Sequence, residues 1–291
     1  MRYARVEALR QSHPVAARCR VLAVSESGDH AWRQRPPSAR AQENRRREVE
    51  IKAAHPRPRE TDGPERRQVD LADPGVQARV YRVKRTRSTR GLRCKQKRKC
   101  KATTNSKHGW PLAPNLLDRP FPMTTPNQAW VTDITDVATE EGGLYLAGIK
   151  DLFNGEWVGY ARSERRTTNR VSQALFRAVA AKRPAKGLIH HSDRGSQYCA
   201  PADQAPRKQF GMMASMSRQG NGWDHAPMER FSGSLKNELV HHQRFVTPEQ
   251  ARQEITEDIE TFYNRIRKQA RLGYLSPTAF NQQYYPKQMA A

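Results

Sequence analysis

The sequence predicts a mixed α/β fold. Runs of β-branched and apolar residues that read as three hairpin-linked strands fill residues 128–165. A helical periodicity follows over residues 167–183, and further strands and helices succeed one another to about residue 268. A length of 291 residues suits one large domain or two modest ones and can bury a real core.

Residues 1–81 read as a degenerate helix-turn-helix-like region. VEALRQSHPVAARCRVLAVS has helical periodicity broken at Pro14, and ARAQENRRREVEIKAA is a polar helix between the Pro-rich pieces RQRPPSAR and HPRPRETDGPERR. Short helices separated by turns are what such a module looks like, although few apolar residues sit at core spacing. Residues 82–122 form a basic linker or arm. Its first part, residues 82–107, holds twelve Lys or Arg and no acid, so it repels itself and stays extended unless an anion neutralises it. A solvated linker is the plain reading. An arm tracking phosphates, with Arg98, Lys99 and Lys101 as contacts, fits better because the run is long and has no interleaved acids. Cys94 and Cys100 have no second Cys or His pair downstream, which speaks against zinc.

Residues 123–291 carry the α/β core and C-terminal helices. QAWVTDITDVAT, GLYLAGIKDLFN and EWVGYARSER read as strands bounded by Gly, Asn or acidic turns. In TTNRVSQALFRAVAAKR the residues Val171, Leu175, Ala178 and Val179 make one helical face, with Thr167 or Thr168 as cap and Pro184 as stop. KGLIHHSD is a fourth strand and MMASMSR a fifth. Between them ADQAPRKQFG is helical in pattern but contains Pro206, which should kink or break it. A helix from Asp224 to Val240 places Met228, Phe231, Leu235 and Leu239 on one face, and a last helix starts at a capping-box-like Thr247.

Lys and Arg number 52 against 29 Asp and Glu, a formal net charge of +23. Residues 1–122 carry +18 of it and residues 123–291 only +5. So uneven a surplus points to a polyanion, and nucleic acid is the usual one. No run of about eighteen apolar residues exists to span a membrane, and the N-terminus lacks the apolar stretch of a secretory signal. Four cysteines are too sparse for a disulfide framework, so a reducing, cytoplasmic setting is expected.

Three acids stand where a fold does not keep them casually. Asp133 lies within the apolar strand WVTDIT, Asp193 directly after the strand GLIHHS, and Glu229 on the helix DHAPMERFSGSLKNEL. Singly, each reads as a surface or turn residue. Together, three carboxylates in one sheet-and-helix fold persist only if cations neutralise them. Hard oxygen ligands in that number suit Mg²⁺ or Mn²⁺, and two such ions about 3.5–4 Å apart serve phosphodiester chemistry. No Walker-type loop or Gly-x-Ser-x-Gly elbow competes. His190 and His191 have no metal-spaced His partner, so a packed or substrate-facing role is expected.

WVTDIT, HSDRGSQY, SMSRQGNGWDHAPMERFSGSLKNEL and FYNRIRKQARLGYLSP resemble the OrfB-type transposases of the third insertion-sequence family, within the DDE transposase and retroviral integrase group. The match spans residues 115–285 and keeps the family's 35-residue gap between Asp193 and Glu229. The resemblance implies an RNase H-like fold with Asp133, Asp193 and Glu229 as the metal-binding catalytic triad. It implies metal-dependent cleavage and strand transfer at insertion-sequence ends, by water first and a DNA 3′-hydroxyl later. Lys236, two helical turns after Glu229 and on the same face, is by resemblance a contact to DNA near the cut end, and Arg194 joins it as a candidate. The implied partners are terminal inverted repeats, target DNA, further copies of the chain on DNA, and an upstream OrfA product or fusion.

The chain also departs from the family's pattern. Asp136 stands where an aromatic is usual and, by strand alternation, should be buried on the face opposite Asp133. Pro206 and Arg207 replace apolar helix residues, Arg165, Arg166 and Arg170 bring charge to the first core helix, Gly222 replaces a Cys, and Asp224-His225 and Arg230 differ from the usual residues. In the N-terminal region, Asp62 precedes Gly63 where Tyr is favoured. Unpaired buried charge costs several kcal/mol, so a catalytically impaired relic acting only as a basic DNA-binding protein is the alternative. For the arm, replacing Arg98, Lys99 and Lys101 by Ala should flatten the plot of log affinity against log salt by about 0.9 per lost phosphate contact on duplex DNA. Anisotropy titrations at several salt concentrations would measure this, and an unchanged slope would make the segment a solvated linker.

Overall fold

The computed structural model of the chain describes residues 2–56, 59–95, 110–117, 123–164, 169–218 and 226–289. Two compact units divide it, Met1–Ala53 and Ala54–Ala291. Arg98, Lys99, Cys100, Lys101, Arg165, Arg166, the Thr167/Thr168 cap, Gly222, Asp224 and His225 lie outside the described residues. Among the described residues no helix is long and apolar enough to cross a membrane.

The first unit is helical: α1 Arg2–Ala8, α2 Val15–Val21, α3 Glu26–Gln34 and nearly all of α4 Ala39–Ala54. Pro14 ends one helical pattern and starts the next, because its fixed φ suits a helix entry and it has no N–H to leave unpaired. Val6 and Cys19 are buried, Arg18 Nη1 donates to the Val6 carbonyl at 2.5 Å, and Tyr3 stacks on Trp32. The Ser25 hydroxyl caps α3 by accepting from the Gly28 N–H. The polar helix read from ARAQENRRREVEIKAA is α4, residue for residue.

The second unit opens with α5 Pro64–Ala72 and α6 Val80–Thr89. Here the expectation of an extended arm from residue 82 is corrected, since its first eight residues are helical. Val83 is fully buried, and the Arg87 guanidinium is satisfied by the carbonyls of Asp62 and Leu92 and by Cys94 Sγ. Asp62, expected to be a misfit, is paired with Arg66 at 3.2 Å. Ion pairs tie this segment to the core: Arg59, just before α5, to Asp258 at 2.6 Å, and Lys268 to Asp73 at 2.5 Å and Asp70 at 3.5 Å.

The core sheet has five strands in the order β3-β2-β1-β4-β5: β1 Ala129–Thr139, β2 Gly142–Asp151, β3 Trp157–Ser163, β4 Ile189–Ser192 and β5 Met213–Met216. β1, β2 and β3 are antiparallel neighbours, and β4 and β5 run parallel to β1. This is the RNase H-like sheet that the resemblance implies. Alternate residues feed opposite faces. Trp130, Ala147, Ile149 and Ala161 meet Val171, Ala174, Leu175 and Ala178 of α7 Asn169–Lys182 on one side. Val131, Val137, Leu144 and Leu146 meet Leu235 of α10 Ala226–Glu238, Leu239 just after it, and Ala251 and Ile255 of α11 Pro248–Glu257, on the other. Between β4 and β5 come α8 Ser196–Cys199 and α9 Pro201–Gln209. Thr247 caps α11 as expected, accepting from the Gln250 N–H. A π-helical segment, Asp258–Ile266, continues from α11, and the chain closes with α12 Pro277–Met289.

The residues that suggested a damaged scaffold are accommodated where they are described. Pro206 does not break α9, whose short length lets it forfeit one internal hydrogen bond and continue. Arg207, buried beside it, donates to the Tyr198 carbonyl at 2.6 Å. Arg170 is 1% exposed and lies over the Tyr145 ring at 5.1 Å, a stacking geometry that suits a guanidinium.

Burial pushes the Asp258 carboxyl up to about 6; Arg59 opposes that rise and nearby Glu238 adds to it. Between about pH 4 and 6 the folded chain therefore holds a proton that the unfolded chain has lost, and stability falls as pH rises through that window. The Asp258→Asn variant should lack this fall and be more stable at pH 7 by up to about 3 kcal/mol. Urea denaturation at several pH values would test it.

Candidate active site

Asp133 sits midway along β1, directly opposite Gly148 of β2. Residues opposed in this way point to the same face. Gly148 leaves that face bare, and the Trp157 ring fills the space: a Cβ on Gly148 would lie 2.3 Å from Cη2 of the indole. Trp157 is 5% exposed, so an indole covers the position across β2 from Asp133. On the helix side, Ser232 Oγ of α10 donates to Asp133 Oδ2 at 3.0 Å.

Asp193 reaches the same end of the sheet through β4. The parallel register runs from Ala129 opposite Ile189 to Val131 opposite His191, and Asp133 and Asp193 each stand two residues beyond that last pair. The segment after Asp193 is built rather than loose. Asp193 Oδ1 accepts from the Gly195 N–H at 2.9 Å, and α8 starts at Ser196. The neighbouring histidines are packed. His191 Nδ1 contacts Ser215 Oγ at 2.9 Å. His190 is wholly buried, and desolvation, with Arg207 and His191 adding, lowers its pKa to about 3, so it is neutral.

Glu229 lies on α10, one turn before Ser232. Its side chain, like those of Met228, Arg230 and Phe231, is outside the described residues, whereas Leu235 and Leu239 of the expected apolar face are buried. The structure thus sets Asp133, midway along β1, and Asp193, just past the end of β4, each two residues beyond the last pair of the β1–β4 ladder, with the helix of Glu229 laid on Asp133. Arg194 uses Nε to hold the Ser217 carbonyl at 2.7 Å, bridging the ends of β4 and β5. Lys236 is on α10 as expected, and its ammonium meets Asp136 Oδ1 at 3.2 Å.

That pair corrects the expectation for Asp136. Its carboxylate is 62% exposed and ion-paired, not buried and alone. β4 leaves β1 after Val131, so the later part of β1 has an open edge there, and Lys236 reaches Asp136. A cleft of about 480 Å³ beside the pair is lined by Asp136, Lys236, His241, Gln243 and Arg244. Another, of about 600 Å³, touches α10 at Gly233 and Asn237 and is lined by Arg66, Lys95 and Tyr274, with neither Asp133 nor Asp193 in its wall. Sequence reasoning missed Ser232 and the Gly148–Trp157 contact. The first left a signal, a hydroxyl one helical turn from Glu229; the second is visible only once β2 and β3 are paired.

The integrase core domain family matches residues 123–222, and a second integrase core domain model matches residues 229–285. The insertion element IS600 uncharacterized 31 kDa protein of Shigella sonnei is 53% identical over 273 residues, spanning 94% of this chain and 100% of that protein. Transposase InsF for insertion sequence IS3A of Escherichia coli (strain K12) is 36% identical over 282 residues, 96% of this chain and 98% of that one. Among solved structures, the simian T-cell lymphotropic virus intasome in complex with PP2A regulatory subunit B56 gamma aligns with 73% of this chain and 69% of its own, at 16% identity and a TM-score of 0.46. With matches that run through its catalytic core and nearly end to end along its curated relatives, the chain belongs to the OrfB-type transposases of the third insertion-sequence family and acts in the transposition of insertion-sequence DNA.

Proposed function

We propose that Asp133, Asp193 and Glu229 are the catalytic carboxylates with which this transposase cleaves the ends of its element and joins them to target DNA. The observation that carries this reading is the pairing of β1 with β4, beyond whose last pair both aspartates follow by two residues, with the helix that bears the glutamate bonded to Asp133 through Ser232. The donor set fits a hard divalent cation, since carboxylate oxygens of three separate elements are what Mg²⁺ or Mn²⁺ takes. Two such ions, when bound, supply charge stabilisation for the attacking and leaving oxygens of a phosphodiester.

The chain's own residues do the rest. Trp157 covers Gly148, the neighbour of Asp133 across β2. Lys236 faces solvent from the helix of Glu229, and its exposed pair with Asp136 is weak enough for a DNA phosphate to replace the carboxylate. Arg194, next to Asp193 in sequence and fixed to Ser217, is a second candidate contact to DNA. Arg98, Lys99 and Lys101 add affinity without sequence preference. Water attacks a phosphodiester at the element end and frees a 3′-hydroxyl. That hydroxyl then attacks target DNA, with no covalent bond to the protein. Joining two ends calls for two such sites, so the working form is an oligomer of this chain on the terminal inverted repeats, with an OrfA product or fusion as a further partner. Cytoplasmic DNA is the substrate.

The Asp193→Asn variant tests the reading. Asn keeps an oxygen to accept from the Gly195 N–H, so the turn survives, but a neutral amide holds a cation poorly. Cleavage and strand transfer on the element's terminal repeats should fall by at least about a hundredfold, while DNA affinity stays nearly constant because phosphate contacts lie elsewhere. Equal loss of binding and cleavage would make Asp193 structural.

A further inference from the structure

Asp133 is held from two directions. Across β2 the neighbour is Gly148, covered by the indole of Trp157. From α10 comes a hydroxyl, Ser232 Oγ donating to Oδ2 at 3.0 Å in a partly buried contact. Ser232 follows Glu229 by three residues and precedes Lys236 by four, so the three form one ridge of the helix. The bond therefore joins the strand of one proposed metal ligand to the helix of another, across 99 residues of sequence.

The chemistry of the donor matters. A carboxylate has about four lone-pair positions, so a hydroxyl bond to one of them orients the group. A hydroxyl also carries no charge, so it leaves intact the negative charge that a cation needs, whereas an ammonium or guanidinium in that place would compete with the metal. Groups that orient a metal-binding side chain in this way commonly set affinity as strongly as they set geometry.

We propose that Ser232 is a positioning residue for strand cleavage and transfer: its hydroxyl fixes the Asp133 carboxylate for the cation and sets the spacing between β1 and the Glu229 helix. This rests on the reading of Asp133 as a metal ligand. Ser232 itself touches neither DNA nor metal; it acts through Asp133.

The test uses the full chain and Mn²⁺ as the probe, with Ser232→Ala, Ser232→Thr, Ser232→Val and Asp133→Asn. Thr and Val have the same shape and similar helix propensity and differ in the hydroxyl, so they decide the question even if the Ala variant folds badly. Mn²⁺ binding to the DNA-free protein is followed by electron paramagnetic resonance, and strand transfer is measured against Mn²⁺ concentration. Ser232→Val and Ser232→Ala should raise the half-saturating Mn²⁺ concentration about tenfold in both measurements, with DNA affinity unchanged, and Ser232→Thr should restore it. If Ser232→Val binds Mn²⁺ like Ser232→Thr while Asp133→Asn binds it poorly, the positioning role is overturned and the metal site stands. If Asp133→Asn also binds Mn²⁺ normally, the reading of Asp133 as a ligand fails, and the role of Ser232 with it.

Discussion

Parallel pairing of β1 with β4 lasts only from Ala129 opposite Ile189 to Val131 opposite His191. The candidate site depends on that short overlap. It is long enough to fix the register, so that Asp133 and Asp193 leave the ladder at the same level. It is short enough that β4 does not run alongside β1 at Asp133, which is paired only with β2 there. A longer β4 would have covered the edge of β1 and removed both the aspartate pair's access to solvent and the opening through which Lys236 reaches Asp136.

The second constraint is that α10 serves two purposes at once. Leu235 and Leu239 pack into the sheet, while Ser232 and Lys236 address β1 from the same helix. Helical spacing makes this possible, because residues three and four apart share a face and those one apart diverge. The core that stabilises the domain therefore also sets the height of Glu229 above the strand. The close approach at Gly148 does the same from β2, where any side chain would displace the Trp157 ring.

Most of the sheet and its helices can be read from sequence because alternation and helical periodicity are strong there: Val171, Leu175 and Ala178 are buried as their spacing requires. The failures have particular causes. Alternation placed Asp136 in the core, but it says nothing of where a neighbouring strand ends, and beyond Val131 β4 is no longer beside β1. Charge density hid α6, whose seating rests on Val83 and on carbonyls that satisfy Arg87. The C-terminal α12 was overlooked for lack of an apolar stripe; it is held by aromatic contacts, with Phe280 and Tyr284 against Phe153. Of the candidate site, the acids were legible by their odd positions in apolar elements. The hydroxyl and indole around Asp133 were not, since they arrive from elements far away in sequence.

Arg18, Arg67, Arg87 and Arg207 share a habit that bears on how the chain meets DNA. Each is buried, and each donates to main-chain carbonyls: Arg18 to Val6, Arg67 to Ala54 and His55, Arg87 to Asp62 and Leu92, Arg207 to Tyr198. A guanidinium suits this because its planar fork satisfies several acceptors and its charge is weakly hydrated. These cations are sequestered from counterions and from phosphates alike. The surplus of +23 thus overstates the field a duplex encounters at the surface. Part of the arginine content is building material, and two transposases of equal net charge can differ widely in how steeply salt loosens their grip.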